Sequence, residues 1–149
     1  MTQIDANVAT STLPSSVAEM LARAPIATRN DEPASWSRPV RGGLPHWRLK
    51  RVLAYIDDNI GGDISLKQLA EVACLSPHHF SELFRRSTGV SPYRFVMQRR
   101  VACAKVLLRD SMLGVLDVAL TVGFSDQSHF TKVFRRATGV PPGAFRATA

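Results

Sequence analysis

The sequence predicts an all-α protein of about seven helices, in which one helical unit occurs twice. Residues 72–95 recur fifty positions later as residues 122–145, with identity at 11 of 24 aligned positions. Apolar side chains from residue 46 onward recur at helical spacing, and no window alternates as a strand would. Stacked solenoid repeats need at least three copies to bury a continuous core. A unit that occurs twice therefore indicates a motif that works as a pair.

Composition divides the chain near residue 45. Residues 1–45 hold five of the nine prolines and equal numbers of basic and acidic groups. With few large apolar side chains they are expected to be mostly disordered, so their deletion should leave the domain at 46–149 intact. One short helix is predicted from Ser16, because Glu19 completes a capping box. A linker is predicted from Pro33, Pro39, Gly42, Gly43 and Pro45.

The first helix of the domain is predicted at residues 47–60, ended by Gly61-Gly62. Its apolar stripe consists of Leu49, Val52, Leu53, Ile56 and Ile60.

Serine residues predict the starts of the next three helices. Ser65 and Gln68 form a capping box for a short helix through Val72. Ser76-Pro77 starts a helix that Gly89 stops at about Thr88, and Ser91-Pro92 starts a connecting helix at about 92–109. The inward face of the connecting helix is Phe95, Val96, Val101, Ala104, Leu107 and Leu108.

The second copy repeats this order. It has a short helix near 115–122, a turn at Gly123, a helix from Asp126 to Thr138, and a last turn at Pro141-Pro142. Each copy is therefore a helix-turn-helix, at about 64–89 and about 115–139.

The second helix of each copy has an apolar and a polar face. The predicted core stripes are Phe80, Leu83, Phe84 and Ser87, and Phe130, Val133, Phe134 and Ala137. The opposite face ends in paired arginines, as in a helix that reads base edges in the major groove. Any amphipathic helix has a polar face, but the same layout twice favours DNA binding. The candidate DNA-binding residues, on recognition helices 77–88 and 126–138, are His78, His79, Ser81, Glu82, Arg85, Arg86, Gln127, Ser128, His129, Thr131, Lys132, Arg135 and Arg136.

The net charge supports a polyanionic partner. The whole excess of +7 lies in residues 46–149, and the pI is near 10.3. Arginine supplies 15 of the 19 basic residues, which suits bidentate contacts to phosphate and guanine. A GC-rich genome would also enrich arginine, and ribosomal or lipid-surface proteins share the sign of the charge.

Residues 48–146 resemble the DNA-binding domain of the AraC/XylS family of bacterial transcription regulators. The most specific stretch is VALTVGFSDQSHFTKVFRRATGVPPGAFR, residues 118–146. The first motif matches more loosely and is one residue shorter, since Ala70 to Phe80 is ten steps and Ala119 to Phe130 is eleven. The connecting helix matches through Arg100, Ala104 and Leu107-Leu108. The resemblance implies a sequence-specific regulator of double-stranded DNA, expected to be an activator, with RNA polymerase as a further possible partner. It places base-reading positions at His78, Glu82, Ser128 and Lys132, and supporting contacts at Ser81, Arg85, Gln127, Thr131 and Arg135.

Two features depart from the family pattern. Glu82 stands where a basic residue is common, so the first motif is expected to read an unusual base or to bind weakly. No small-molecule effector domain is evident, because 45 low-complexity residues cannot fold into one. The chain is either a stand-alone regulator controlled by its abundance or a fragment of a longer protein.

Other functions find less support. Cys74 and Cys103 are too few for a disulfide framework, which together with the lack of an apolar span or signal sequence predicts a cytoplasmic, nucleoid-associated protein without a membrane partner. Cys74, His78 and His79 are close in sequence, but no fourth metal ligand is evident. Cys103 is interpreted as a packing residue and Asp57-Asp58 as solvated. We expect no enzymatic activity, cofactor or metal. The alternatives are a nonspecific architectural DNA-binding protein and an interaction module that lacks DNA binding.

Overall fold

The computed structural model describes residues 41–149, which form seven α-helices and no strand, as the sequence predicts. The predictions for residues 1–40, including the helix at Ser16, lie outside the described residues. None of the helices within 41–149 is both long and apolar enough to cross a membrane. The helices are α1 (His46–Asp58), α2 (Leu66–Val72), α3 (Pro77–Thr88), α4 (Pro92–Asp110), α5 (Val115–Thr121), α6 (Gln127–Thr138) and α7 (Pro142–Ala147).

Helix α1 ends two residues earlier than predicted. The cap residue Asn59 has φ −115° and ψ 16°, and its side-chain amide donates to the Tyr55 carbonyl oxygen at 2.8 Å. The same carbonyl oxygen accepts from the Asn59 backbone N–H at 3.1 Å, so Asn59 closes the last turn of the helix. Ile60 is buried as predicted, although it lies in the turn after the helix.

The predicted serine caps are present. The Ser65 hydroxyl accepts from the Gln68 amide at 3.2 Å, and the Gln68 side chain accepts from the Ser65 amide at 2.8 Å. The hydroxyls of Ser76 and Ser91 each accept a backbone N–H at 3.4 Å, at the starts of α3 and α4. Each cap satisfies an N–H group that the first helical turn leaves unpaired.

Helix α4 lies at the centre, in contact with α3, α5, α6 and α7. All the residues of its predicted apolar face are buried. Repeated phenylalanines join each second helix to the helix that follows it. The rings of Phe84 and Phe95 meet nearly edge-on at 5.4 Å, and those of Phe134 and Phe145 repeat this contact at 5.4 Å.

The repeated Thr-Gly-Val sequence forms a helix stop in both copies. The hydroxyls of Thr88 and Thr138 donate to carbonyl oxygens of Phe84 and Phe134, each at 2.9 Å. Gly89 and Gly139 follow in the left-handed region, with φ of 79° and 85°. Glycine adopts this conformation without a steric penalty, which explains its recurrence at both helix ends.

The described segment before α1, residues 41–45, packs against the first copy. Leu44 is 4% exposed, and its amide donates to the Ser87 hydroxyl at 2.7 Å. Ser87 is buried as predicted, whereas its counterpart Ala137 is exposed, so the prediction of a core position there is wrong. The bond between the Leu44 amide and the Ser87 side chain has no equivalent at Ala137 among the described residues. Ala137 consequently stays on the surface.

Deletion of residues 1–40 and deletion of residues 1–45 should therefore differ in their effect. We propose that the folded unit includes Leu44, so the shorter deletion should leave the free energy of unfolding unchanged within about 0.5 kcal/mol. The longer deletion removes a buried leucine and should cost about 2–4 kcal/mol. Urea denaturation of both proteins measures the free energy of unfolding. Leu44→Ala in the protein that lacks residues 1–40 is the control. Equal stabilities would place the boundary after residue 45.

Candidate nucleic-acid interface

Helices α3 and α6 present the thirteen candidate residues on their polar faces. All thirteen are exposed except Ser81 and Thr131, which are half-buried. The opposite faces are fixed in the core, since Phe80, Phe84, Phe130 and Phe134 are all 0% exposed. The structure thus brings the predicted residues together on two outward helix faces, each with two arginines in its last turn. Arginine at that end is also favoured by the helix dipole.

The turns that precede these helices share one backbone geometry. The amides of Leu75 and Phe124 donate to carbonyl oxygens five residues back, both at 2.9 Å, in a Schellman motif. The left-handed position before them is Cys74 in the first turn, with φ 54°, and Gly123 in the second, with φ 90°. Ser125 is the additional residue of the second turn and accounts for the longer spacing. Within the first helices the copies are therefore related by a shift of 49 residues, and fully buried Val122 corresponds to Ala73.

Arg100 fixes the second turn against the rest of the domain. It is 8% exposed and lies on α4. Its guanidinium donates to the carbonyl oxygens of Ile60 at 3.2 Å, Gly62 at 2.6 Å and Gly123 at 2.7 Å. Burial lowers the pKa of Arg100, opposed by the charge of Asp63. The three carbonyl oxygens replace the water that a buried charge loses.

A second buried arginine joins α4 to α1. Arg99 is 5% exposed, and its guanidinium donates to the Asp57 carboxylate at 2.8 Å and 2.7 Å. Asp57 is exposed, as its interpretation as a solvated residue predicts, and one of its carboxylate oxygens also balances this buried charge. Asp58 is exposed. The spacing of apolar residues in α4 does not reveal either buried arginine.

Arg86 and Arg136 have different surroundings although the repeat pairs them. The Arg86 guanidinium donates to the Gly42 carbonyl oxygen at 3.5 Å, on the segment before α1. Arg136 instead lines a cleft of about 680 Å³ between α4 and α6. Arg94 and Gln98 of α4 also line this cleft, and neither is a candidate in the sequence-based prediction.

Two histidines of the site contact their own motif. The His78 ring nitrogen Nε2 lies 3.9 Å from the Glu82 carboxylate one turn along α3, and both side chains are exposed. The His129 ring meets the Phe124 ring edge-on at 5.4 Å. His129 thereby packs against the turn before α6.

The two cysteines differ in their exposure to solvent. Cys103 is 1% exposed in the core, as its packing interpretation predicts, and burial raises its thiol pKa to about 11. Cys74 is exposed. Across residues 41–149, no three His, Cys, Asp or Glu side chains are grouped as a metal site would need.

Two linked helix-turn-helix units with exposed polar second helices define a class of DNA-binding domains. A family model for a helix-turn-helix domain matches residues 69–148. The chain belongs to the AraC/XylS family of helix-turn-helix proteins.

Known relatives agree with this assignment. The regulatory protein PocR of Salmonella typhimurium is 35% identical over 100 residues, which are 66% of this chain and 33% of PocR. The XylDLEGF operon transcriptional activator 2 of Pseudomonas putida is 33% identical over 78 residues, half of each chain. The region matched by this chain is thus a third of the length of PocR and half of the length of the XylDLEGF activator 2.

Solved structures share the fold. The C-terminal domain of AraT, a response regulator from Geobacillus stearothermophilus, is 28% identical with a TM-score of 0.66, over 68% of this chain and 85% of that one. The DNA-binding domain of AdpA, solved with a target DNA, is 32% identical with a TM-score of 0.66, over 68% of this chain and 91% of that one.

Two left-handed glycines of the second motif, Gly123 in its turn and Gly139 at the end of α6, should respond unequally to an added methyl group. A Cβ at Gly123 would lie 2.7 Å from the Ile60 carbonyl oxygen and 2.8 Å from the Arg100 guanidinium, whereas one at Gly139 meets nothing within 4 Å. Gly139→Ala should cost about 1–2 kcal/mol for its left-handed backbone alone. Gly123→Ala should cost more, because it also disturbs Arg100. Cys74→Gly should stabilise by up to about 1 kcal/mol.

Urea denaturation of the three variants measures these changes in the free energy of unfolding. Equal losses for the two alanine variants would show that the contact between Gly123 and Arg100 contributes nothing.

Proposed function

We propose that residues 46–149 bind specific double-stranded DNA and regulate transcription, with α3 and α6 in successive major-groove segments. The main observation is the pair of exposed polar helices, each held by a buried phenylalanine face. The AdpA domain, which was solved with a target DNA, supports this proposal through its shared fold. The net charge of +7 supplies the cations that phosphate contacts need.

The geometry of α4 supports recognition by a single chain. Its 19 residues correspond to about 28 Å at 1.5 Å per residue. Helices held near its two ends could reach major-groove segments about one turn, or ~34 Å, apart. The two polar faces differ in sequence, so the DNA site should contain two unlike boxes.

Base reading is proposed for His78, Glu82, Ser128 and Lys132. The remaining candidates, including the paired arginines, would position the helices through phosphate contacts. Contact of Glu82 with a cytosine amino group is compatible with its chemistry, but its carboxylate repels phosphates.

The relatives support a role in activation. Several are named as transcriptional activators, among them the XylDLEGF activator of Pseudomonas putida and RhaS of Escherichia coli. We propose that this chain also activates transcription, in contact with RNA polymerase at the nucleoid.

A nonspecific architectural DNA-binding protein is the second candidate function. It would need apolar wedges or unpatterned charge, whereas α3 and α6 present different polar side chains at equivalent positions, such as Glu82 and Lys132. An interaction module without DNA binding is favoured only by Glu82.

Selection of binding sites from a random oligonucleotide pool tests the proposal. The full chain should enrich duplexes with two dissimilar boxes about one helical turn apart, bound by one chain as measured by analytical ultracentrifugation. Enrichment of a palindrome bound by two chains would contradict recognition by one chain. Equal retention of all sequences would favour the architectural function, and no retention would favour the interaction module.

Lys132→Ala and Glu82→Ala should change binding in opposite directions. Lys132→Ala should weaken binding by about 1–3 kcal/mol and relax preference at one base pair if it contacts a guanine edge. Glu82→Ala removes a charge that repels phosphate, so affinity for random DNA should rise. Specificity should fall only if Glu82 reads a cytosine. Fluorescence anisotropy with selected and random duplexes measures both effects.

Glu82→Ala should change the charge at this position without changing the fold. The ion pair found for its carboxylate is the exposed one with His78, in the same helix, so the fold should not depend on it. Weaker binding of Glu82→Ala to random DNA would show that its placement at the DNA groove is mistaken.

A further inference from the structure

The cleft between α4 and α6 is lined by cationic side chains without an acidic one. Its volume is about 680 Å³. Arg94 of α4 faces it together with Lys132 and Arg136 of α6, and no Asp or Glu is among the residues that line it. Three cations without a counter-charge favour an anionic occupant.

The floor of the cleft leads from one proposed recognition helix to the other. Tyr93 and Met97 of α4 line this cleft, and they also line a smaller cavity of about 300 Å³ that reaches Ser81 of α3. Tyr93 is 65% exposed. A duplex that contacts both α3 and α6 must therefore pass over this strip of α4.

The DNA that passes there has a defined chemistry. Successive major-groove segments on one face of a duplex are separated by a minor groove and the phosphates that border it. Those phosphates are anions on the path between the two boxes. They match the charge of the cleft.

Arg94 stands where a helix does not favour a cation. It lies in the first turn of α4, where its backbone N–H is bonded to the Ser91 cap. The helix dipole disfavours positive charge in the first turn. The helix alone therefore gives no reason for an arginine at this position, whereas an anionic partner does.

We propose that this cleft binds the DNA backbone between the two boxes, with Arg94 and Arg136 as phosphate-binding residues. The proposal rests on the proposed function, because it requires a duplex that spans α3 and α6. Its contacts hold the duplex across the central segment and read no base.

The test measures the affinity of the full chain for its selected duplex at several salt concentrations. Arg94→Gln should lower the slope of log K against log salt by about 0.9, as expected for one lost phosphate contact. The loss should be equal on selected and random duplexes. Arg94→Lys retains the charge and should retain the slope. Arg51→Gln is the matched control, since Arg51 is exposed on α1 and lines neither cavity.

Neutral methylphosphonates locate the contact. Each phosphate between the boxes is replaced in turn, and one replacement should weaken the wild-type protein but not Arg94→Gln. A slope for Arg94→Gln equal to that of the wild type, or equal changes for Arg94→Gln and Arg51→Gln, would overturn the proposal. A wild-type protein with no preferred duplex would instead overturn the proposed function itself.

Discussion

The burial of the Arg100 guanidinium is the constraint on which the arrangement of the two units depends. Its three carbonyl partners lie in the loop after α1 and in the turn of the second motif, so one side chain of α4 joins both halves. A buried charge is stable only where such partners surround it, and loss of one leaves an uncompensated cost. The arrangement of the halves is therefore specified by polar geometry as well as by apolar packing. Gly123 belongs to the same constraint, because a Cβ there would occupy the space that the guanidinium fills.

The two copies of the motif are alike in backbone and unlike in surroundings. The first turn tolerates Cys74 at its left-handed position, whereas the second needs a residue without a side chain. At the C-terminal ends of α3 and α6 it is the first copy that is enclosed. Ser87 is covered by Leu44, whereas the equivalent Ala137 is exposed. The segment before α1 also accepts a bond from Arg86. The first copy is thus bonded to the segment before α1 at the end of its second helix, and the second copy is bonded to Arg100 at its turn.

Much of this fold follows from local sequence. The capping boxes, the Thr-Gly-Val stops and the spacing of phenylalanines determine helix boundaries within one or two residues, because the forces involved act within a few residues. The buried Arg99 and Arg100, the pairing of Asp57 and the exposure of Ala137 could not be predicted in this way. Each depends on partners that lie 23 to 42 residues away in the sequence, or on the lack of a partner. The role that we propose for Arg94 could not be predicted for a related reason, since it depends on the cleft that this side chain lines together with α6.

The charges of the two recognition helices suggest that one motif contributes mainly affinity and the other mainly specificity. Helix α6 carries three cationic side chains and no acidic one, and it borders the cationic cleft, whereas α3 carries two arginines and Glu82. Phosphate contacts supply most of the affinity of such domains but little of their specificity. We therefore expect the second motif to provide most of the binding free energy. The first motif would act chiefly by discrimination, because a carboxylate in the groove penalises every sequence that does not offer it a donor. In that arrangement Glu82 lowers affinity for wrong sites more than for the right one, which is how a weakly binding motif can still determine specificity.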